Sequence, residues 1–239
     1  MINRILLFTS AACALGLAGC AMTHGAPSED KQAFGTTADG QTVYLYTLRN
    51  SKGSEARIMN YGGIVQSLKV ADKNGNLGDV ALGFDTFEPY KANSPYFGAL
   101  IGRYGNRIAN GKFSLDGVTY TLAKNNPPNN LHGGPNGFNT VVWNATQKGP
   151  SLELTYLSKD GDQGFPGNLQ VTAVYTLTDN NELRVDFTAK TDKATVCNLT
   201  QHSYWNLACG GDVLNHDVQI FADNYTPVNP SLIPTGIAP

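Results

Sequence analysis

Apolar and polar residues alternate with a period of two along most of this chain. The runs at 42–46, 56–59, 64–70, 111–115 and 118–122 are short and rich in Val, Thr, Tyr, Phe and Leu, and those at 151–157, 168–177, 182–190 and 216–221 continue the pattern. Such alternation sends successive side chains to opposite faces and predicts strands, not helices. The intervening turns agree. Asn74-Gly75 and Asp116-Gly117 supply the residues that tolerate positive φ in tight hairpins, and Thr178-Asp179-Asn180-Asn181 predicts another. Only a short turn around 87–91 reads as helical. The predicted class is all-β, a sandwich of large antiparallel sheets. At 239 residues and 41% hydrophobic content the chain can bury one sizeable core, so 34–239 is expected to form one domain. The segment 231–239 reads as a loop with no closing strand after it, and the sandwich is therefore expected to be incomplete at its C-terminal end.

The first residues follow a different pattern. Arg4 precedes an apolar stretch at 5–18 that is too short to span a bilayer comfortably, which predicts a targeting segment. Leu17-Ala18-Gly19-Cys20 resembles the lipobox of bacterial lipoproteins. That resemblance implies a signal peptide at 1–19, acyl chains on Cys20 and a flexible tether at 20–33; ordinary secretory cleavage with Cys20 incidental is the alternative. Each buried CH₂ of an acyl chain contributes about 0.8 kcal/mol to membrane binding. Ala21, not aspartate, follows the cysteine, so by resemblance to Gram-negative sorting an exported, outer-membrane location is expected. Cys197 and Cys209 then remain. They could pair in an oxidising periplasm, but were the chain extended between them the sulfurs would be too far apart to bridge, so two buried free thiols are the favoured expectation.

Charge narrows the partner. Seventeen basic and nineteen acidic residues give a net charge of -2 with no basic run, which excludes the clustered cations of a nucleic-acid footprint. A neutral polar small molecule fits better. No Cys-x-x-Cys or paired-histidine spacing supports a metal site, and no nucleotide loop or nucleophile elbow is present. Asp160-Gly161-Asp162 lacks the twelve-residue spacing of a calcium hand and reads as a structural turn.

The residues that carry chemistry fall in three segments: Gly102-Arg103-Tyr104-Gly105-Asn106-Arg107-Ile108, Asn129-Asn130-Leu131-His132-Gly133-Gly134, and Asn198-Leu199-Thr200-Gln201-His202-Ser203-Tyr204-Trp205-Asn206-Leu207. An isolated histidine is more often a satisfied core residue than a ligand, and an isolated arginine is more often a surface ion pair. Together, however, these segments resemble the aldose 1-epimerases, the galactose mutarotases. Gln201 stands where that family often has asparagine, and Trp205 where phenylalanine is common. The resemblance covers Phe34 to Pro239 and implies a galactose mutarotase-like supersandwich that needs no cofactor and acts on free aldohexoses. It implies His202 as general acid, Arg107 and His132 as substrate-binding groups with Asn106, Ser203 and Tyr204 beside them, and a structural role for Arg103. The family's glutamate base and a substrate-binding aspartate have no matching position by Pro239. A sugar-binding protein without catalysis is thus the alternative expectation. A hexose-6-phosphate substrate would need a cation cluster that the chain does not show.

Overall fold

The computed structural model describes residues 30–92 and 94–238, so Cys20 and the targeting segment lie outside the described residues. Two antiparallel sheets form the body. The first runs in the order β1 (Lys31–Thr36), β2 (Thr42–Arg49), β3 (Glu55–Met59), β4 (Val65–Ala71) and β5 (Leu77–Asp79). After a one-turn helix, α1 (Glu88–Lys91), come the short strands β6 (Leu100–Ile101) and β7 (Arg107–Ile108) and the hairpin of β8 (Lys112–Leu115) with β9 (Val118–Thr121). β10 (Asn130–Leu131) pairs with β7. The second large sheet is β11 (Asn144–Lys148), β12 (Ser151–Ser158), β13 (Leu169–Leu177) and β14 (Leu183–Thr191), and β15 (Thr200–Gln201) pairs with β6.

Alternation explains the packing. Leu169, Val171, Ala173, Tyr175 and Leu177 of β13 are all buried, while the residues between them are more open to solvent. They meet Leu48, Ile58 and Val65 of the first sheet in one core, with Trp143 and Phe138 filling its end. The Tyr175 hydroxyl, buried in that core, donates to the Gly63 carbonyl at 2.7 Å, so its polar atom is satisfied. A second cluster, including Leu45, Met59, Tyr61, Phe87 and Tyr90, lies on the opposite face of the first sheet. The all-β class and the sheet architecture expected from the sequence are present. The hairpin turns are too, with Asp116 at φ 50° and Gly117 at φ 78° between β8 and β9.

Two expectations fail. The alternating segment 216–221 forms no strand: Val218, Ile220 and Phe221 are exposed at 80%, 78% and 90%, and no neighbouring strand edge pairs with them among the described residues. Cys197 and Cys209 are free, as expected, but both are exposed rather than buried. They lie on loop segments either side of β15 and not inside the core.

Candidate active site

One backbone segment, 99–108, assembles the three sequence motifs. On one side Thr200 and Gln201 pair with Ile101 and Leu100, and the ladder continues as the His202 N–H donates to the Ala99 carbonyl at 2.9 Å. Further along, the Gly105 N–H donates to Asn198 at 2.7 Å and the Asn198 N–H to Arg103 at 2.9 Å. At the other end Leu131 pairs with Arg107, and the His132 N–H donates to the Asn106 carbonyl at 3.0 Å. Two histidines seventy residues apart in sequence are thereby tied to flanks of the same short stretch. Their ring centroids lie 5.0 Å apart with the planes at 89°.

Glycines make this approach feasible. A Cβ on Gly133, which sits at φ 85°, would come within 2.0 Å of the Gly102 carbonyl oxygen. One on Gly102 would meet the Phe138 ring at 2.3 Å. Asn106 and His132 themselves adopt left-handed backbone, at φ 66° and 54°, and so does Tyr96 at 64°. Such conformations cost about 1 kcal/mol or more per non-glycine residue and persist only where the surroundings enforce them.

The two imidazoles differ in their hydrogen bonding. His132 Nδ1 accepts the Asn106 N–H at 3.0 Å, which assigns its proton to Nε2 and makes that nitrogen a donor. Burial, then the neighbouring His202 and the positive charge of Arg107, push its pKa down to about 4, so near neutral pH it is an uncharged donor. Neither ring nitrogen of His202 has a partner among the described residues. His202 is held instead by aromatic neighbours, with Tyr204 at 5.2 Å and Tyr96 at 5.6 Å between centroids. Its two nitrogens are available to a ligand.

Around them lies a cleft of about 520 Å³ lined by Asn106, His132, Gln201, His202, Ser203 and neighbouring backbone. The Gln201 amide donates to Ser203 Oγ at 2.7 Å and to the Gly98 carbonyl at 2.9 Å, while its oxygen accepts the Ser203 N–H at 3.0 Å. Arg107 stands at the edge of this group. Its Nε donates to Asn126 Oδ1 at 3.0 Å and its Nη1 to Asn106 Oδ1 at 3.3 Å, which leaves further donors unused. Tyr204, expected as a substrate contact beside His202, is 40% exposed; its ring lies tilted against His202 and edge-to-face with Phe97 without lining the cleft.

Arg103 does different work. It is only 2% exposed, and its guanidinium donates to Ser158 Oγ and to the carbonyls of Ser158, Lys159 and Pro166 at 2.7 to 2.9 Å. It fastens the 160–167 loop to the body. The two carboxylates of that loop are likewise engaged: Asp160 pairs with Lys193 at 2.8 Å, and Asp162 accepts the Ser158 hydroxyl at 2.5 Å.

Three contributors were not singled out from the sequence. Tyr96 touches both imidazoles, Asn126 orients Arg107, and Asn125 bonds both the N–H and the carbonyl of Leu131, beside His132. The run Asn125-Asn126-Pro127-Pro128-Asn129-Asn130 carried a signal for the asparagines, because such side chains staple loops by bonding nearby backbone. Among the described residues no group of three or more His, Cys, Asp or Glu side chains could hold a metal ion.

The fold agrees with the comparisons. Residues 44–238 match the family model described as aldose 1-epimerase. The chain is 47% identical over 181 residues to galactose mutarotase of Bos taurus, covering 75% of this chain and 53% of that one. It is 42% identical over 198 residues to aldose 1-epimerase of Escherichia coli K12, covering 82% and 57%. A crystal structure of an aldose epimerase homologue from C. elegans superposes with a TM-score of 0.78 at 33% identity, over 81% of this chain and 60% of the other. The chain therefore belongs to the aldose 1-epimerase family. It spans between half and two thirds of the length of these relatives.

Proposed function

We propose that the protein interconverts the α and β anomers of free aldohexoses such as galactose and glucose. Ring opening needs one proton delivered to the ring oxygen and another removed from the C1 hydroxyl, by groups held in fixed positions. His202 is the proton-transfer group. Neither of its ring nitrogens has a protein partner among the described residues, and it stands in the cleft. His132 is the fixed donor: its Nδ1 is already occupied, so the Nε2–H can bond a substrate oxygen and stabilise charge that develops there. Arg107 and Asn106 hold hydroxyls, and Ser203 adds a further hydroxyl to the cleft wall.

The observation that carries this reading is the pair of imidazoles with unequal hydrogen bonding, meeting at 5.0 Å in one cleft. The cleft-lining side chains include no carboxylate. Polarimetry on freshly dissolved α-D-galactose and α-D-glucose tests the proposal. Accelerated decay of optical rotation is expected from the full-length protein, whereas a rate equal to buffer, with sugar still bound, would leave a binding protein.

We also propose export and lipid anchoring at Cys20, with the outer membrane as destination; Leu17-Ala18-Gly19-Cys20 and the apolar stretch before it support this. Labelling with a radioactive fatty acid, followed by fractionation of the membranes, should find the wild type acylated in the outer membrane and Cys20→Ser unlabelled. Equal labelling of both would remove the assignment.

A further inference from the structure

The two imidazoles share a third ring. Tyr96 lies 4.6 Å from His132 at an interplanar angle of 68°, and 5.6 Å from His202 at 36°. The three centroids thus form a closed triangle, with the tyrosine ring against both histidines.

The backbone makes Tyr96 a fixed wall. Its carbonyl accepts the Ala99 N–H at 3.1 Å, Ala99 accepts the His202 N–H at 2.9 Å, and the Gly98 N–H returns to the His202 carbonyl at 3.1 Å. Gly98, at φ 64°, packs so closely that a Cβ would lie 2.2 Å from the Val65 carbonyl oxygen. The turn bearing Tyr96 is thereby tied to the His202 backbone. On its other side Tyr96 borders a separate cavity of about 710 Å³ together with Ser94, Asn125 and Gly134.

We propose that Tyr96 is a positioning residue of the proton-transfer site, whose ring sets the mutual angle of His132 and His202. This rests on the mutarotase reading of the cleft. The phenol does not itself move a proton: burial raises its pKa above the usual tyrosine value, which keeps it neutral. What it supplies is geometry, and a misplacement of about 1 Å can lower a rate by roughly 100-fold.

Tyr96→Phe and Tyr96→Leu in the full-length protein separate ring from hydroxyl. Galactose mutarotation and the NMR titration of the histidine Cε1–Hε1 signals are the readouts. Tyr96→Phe should keep kcat within about twofold, while Tyr96→Leu should lower it by roughly 10- to 100-fold with KM changed far less. In Tyr96→Leu the His132 midpoint should also rise from about 4 toward the ordinary imidazole value as the ring that helps bury it is lost. Wild-type kcat or an unmoved His132 midpoint in Tyr96→Leu overturns the proposal, and so does a Phe variant as damaged as the Leu variant. Should the Leu variant not fold, the wild type still decides: nuclear Overhauser contacts from the Tyr96 ring to both imidazoles are expected, and their absence refutes it. A wild type without mutarotase activity sinks the functional reading alone, because the NMR readouts still judge the positioning.

Discussion

At the scale of single residues, the roles proposed for His132 and His202 rest on their unequal hydrogen bonding, and substitution should expose the division. His202→Ala is expected to lower kcat by about 10² to 10⁴, the usual worth of a positioned acid, while calorimetry still detects sugar binding. Full activity in this variant would refute the acid assignment. Arg107→Ala should raise KM and slow turnover together, because its free donors lie beside the cleft; an unchanged KM would leave it a merely structural link to Asn126. His132 makes a prediction about stability as well. An ordinary imidazole titrates near 6.5, whereas burial and its charged neighbours bring this one down to about 4. Between those values the unfolded chain binds a proton that the folded chain refuses. Stability is therefore fully present above pH 6.5 and is lost as the pH falls toward 4. Urea midpoints at pH 7 and 4.5 should diverge more in the wild type than in His132→Gln, which has no proton to gain. Parallel losses in the two proteins would show that His132 is not the group responsible.

At the scale of elements, the site depends on how closely the His132 loop approaches the 99–108 segment, and Gly133 sets that approach. Gly133→Ala places a methyl within 2.0 Å of the Gly102 carbonyl at a backbone angle of 85°, so the loop must retreat. A stability loss of about 1–3 kcal/mol and a still larger loss of mutarotase rate are expected, measured by urea unfolding and polarimetry. Wild-type values for both would mean that the loop yields without moving His132. The strands themselves were legible because alternation and hairpin chemistry are local: β2 to β4, β8 to β9 and β12 to β14 fall where the pattern put them. The segment 216–221 alternates just as clearly yet forms no strand. A pleated pattern is satisfied only when a partner edge is near, and the sequence does not display that edge. The site was readable to the same depth. His202, His132 and Arg107 sit in motifs, while Tyr96 sits in Ser94-Pro95-Tyr96-Phe97-Gly98, with no ligand-type residue beside it. Its place against His202 comes from hydrogen bonds that bridge about a hundred residues of chain. No local rule anticipates those.

At the scale of the whole molecule, order is unevenly distributed, and the boundary falls just beyond the His202 motif. Residues 204–206 are still bound to the body: Trp205 bridges Ala81, the Leu82 N–H donates to the Tyr204 carbonyl at 2.9 Å, and the Asn206 N–H donates to Val80 at 2.9 Å. Past them the chain runs through turns and isolated bridges, such as Tyr225 with Ala238 and Val228 with Pro234, and its apolar side chains face outward. Leu214 is 85% exposed and Phe221 90%. Asn129, through its side-chain amide, reaches the Ser231 carbonyl at 2.9 Å, a thin attachment compared with the nine paired positions that join β13 and β14. Local opening requires little free energy where few apolar groups are buried and few ladder bonds must break. Brief chymotrypsin treatment of the 239-residue chain should therefore cut first at Leu207, Leu214, Phe221 or Tyr225, leaving the two sheets and both histidines on one resistant fragment. Mass spectrometry would identify the cuts. Early cleavage at Tyr156 in β12 or Tyr175 in β13, at rates matching Phe221, would mean that the sandwich core is no more stable than its C-terminal segment. The histidine cleft would then have no rigid frame to hold its rings at a fixed angle.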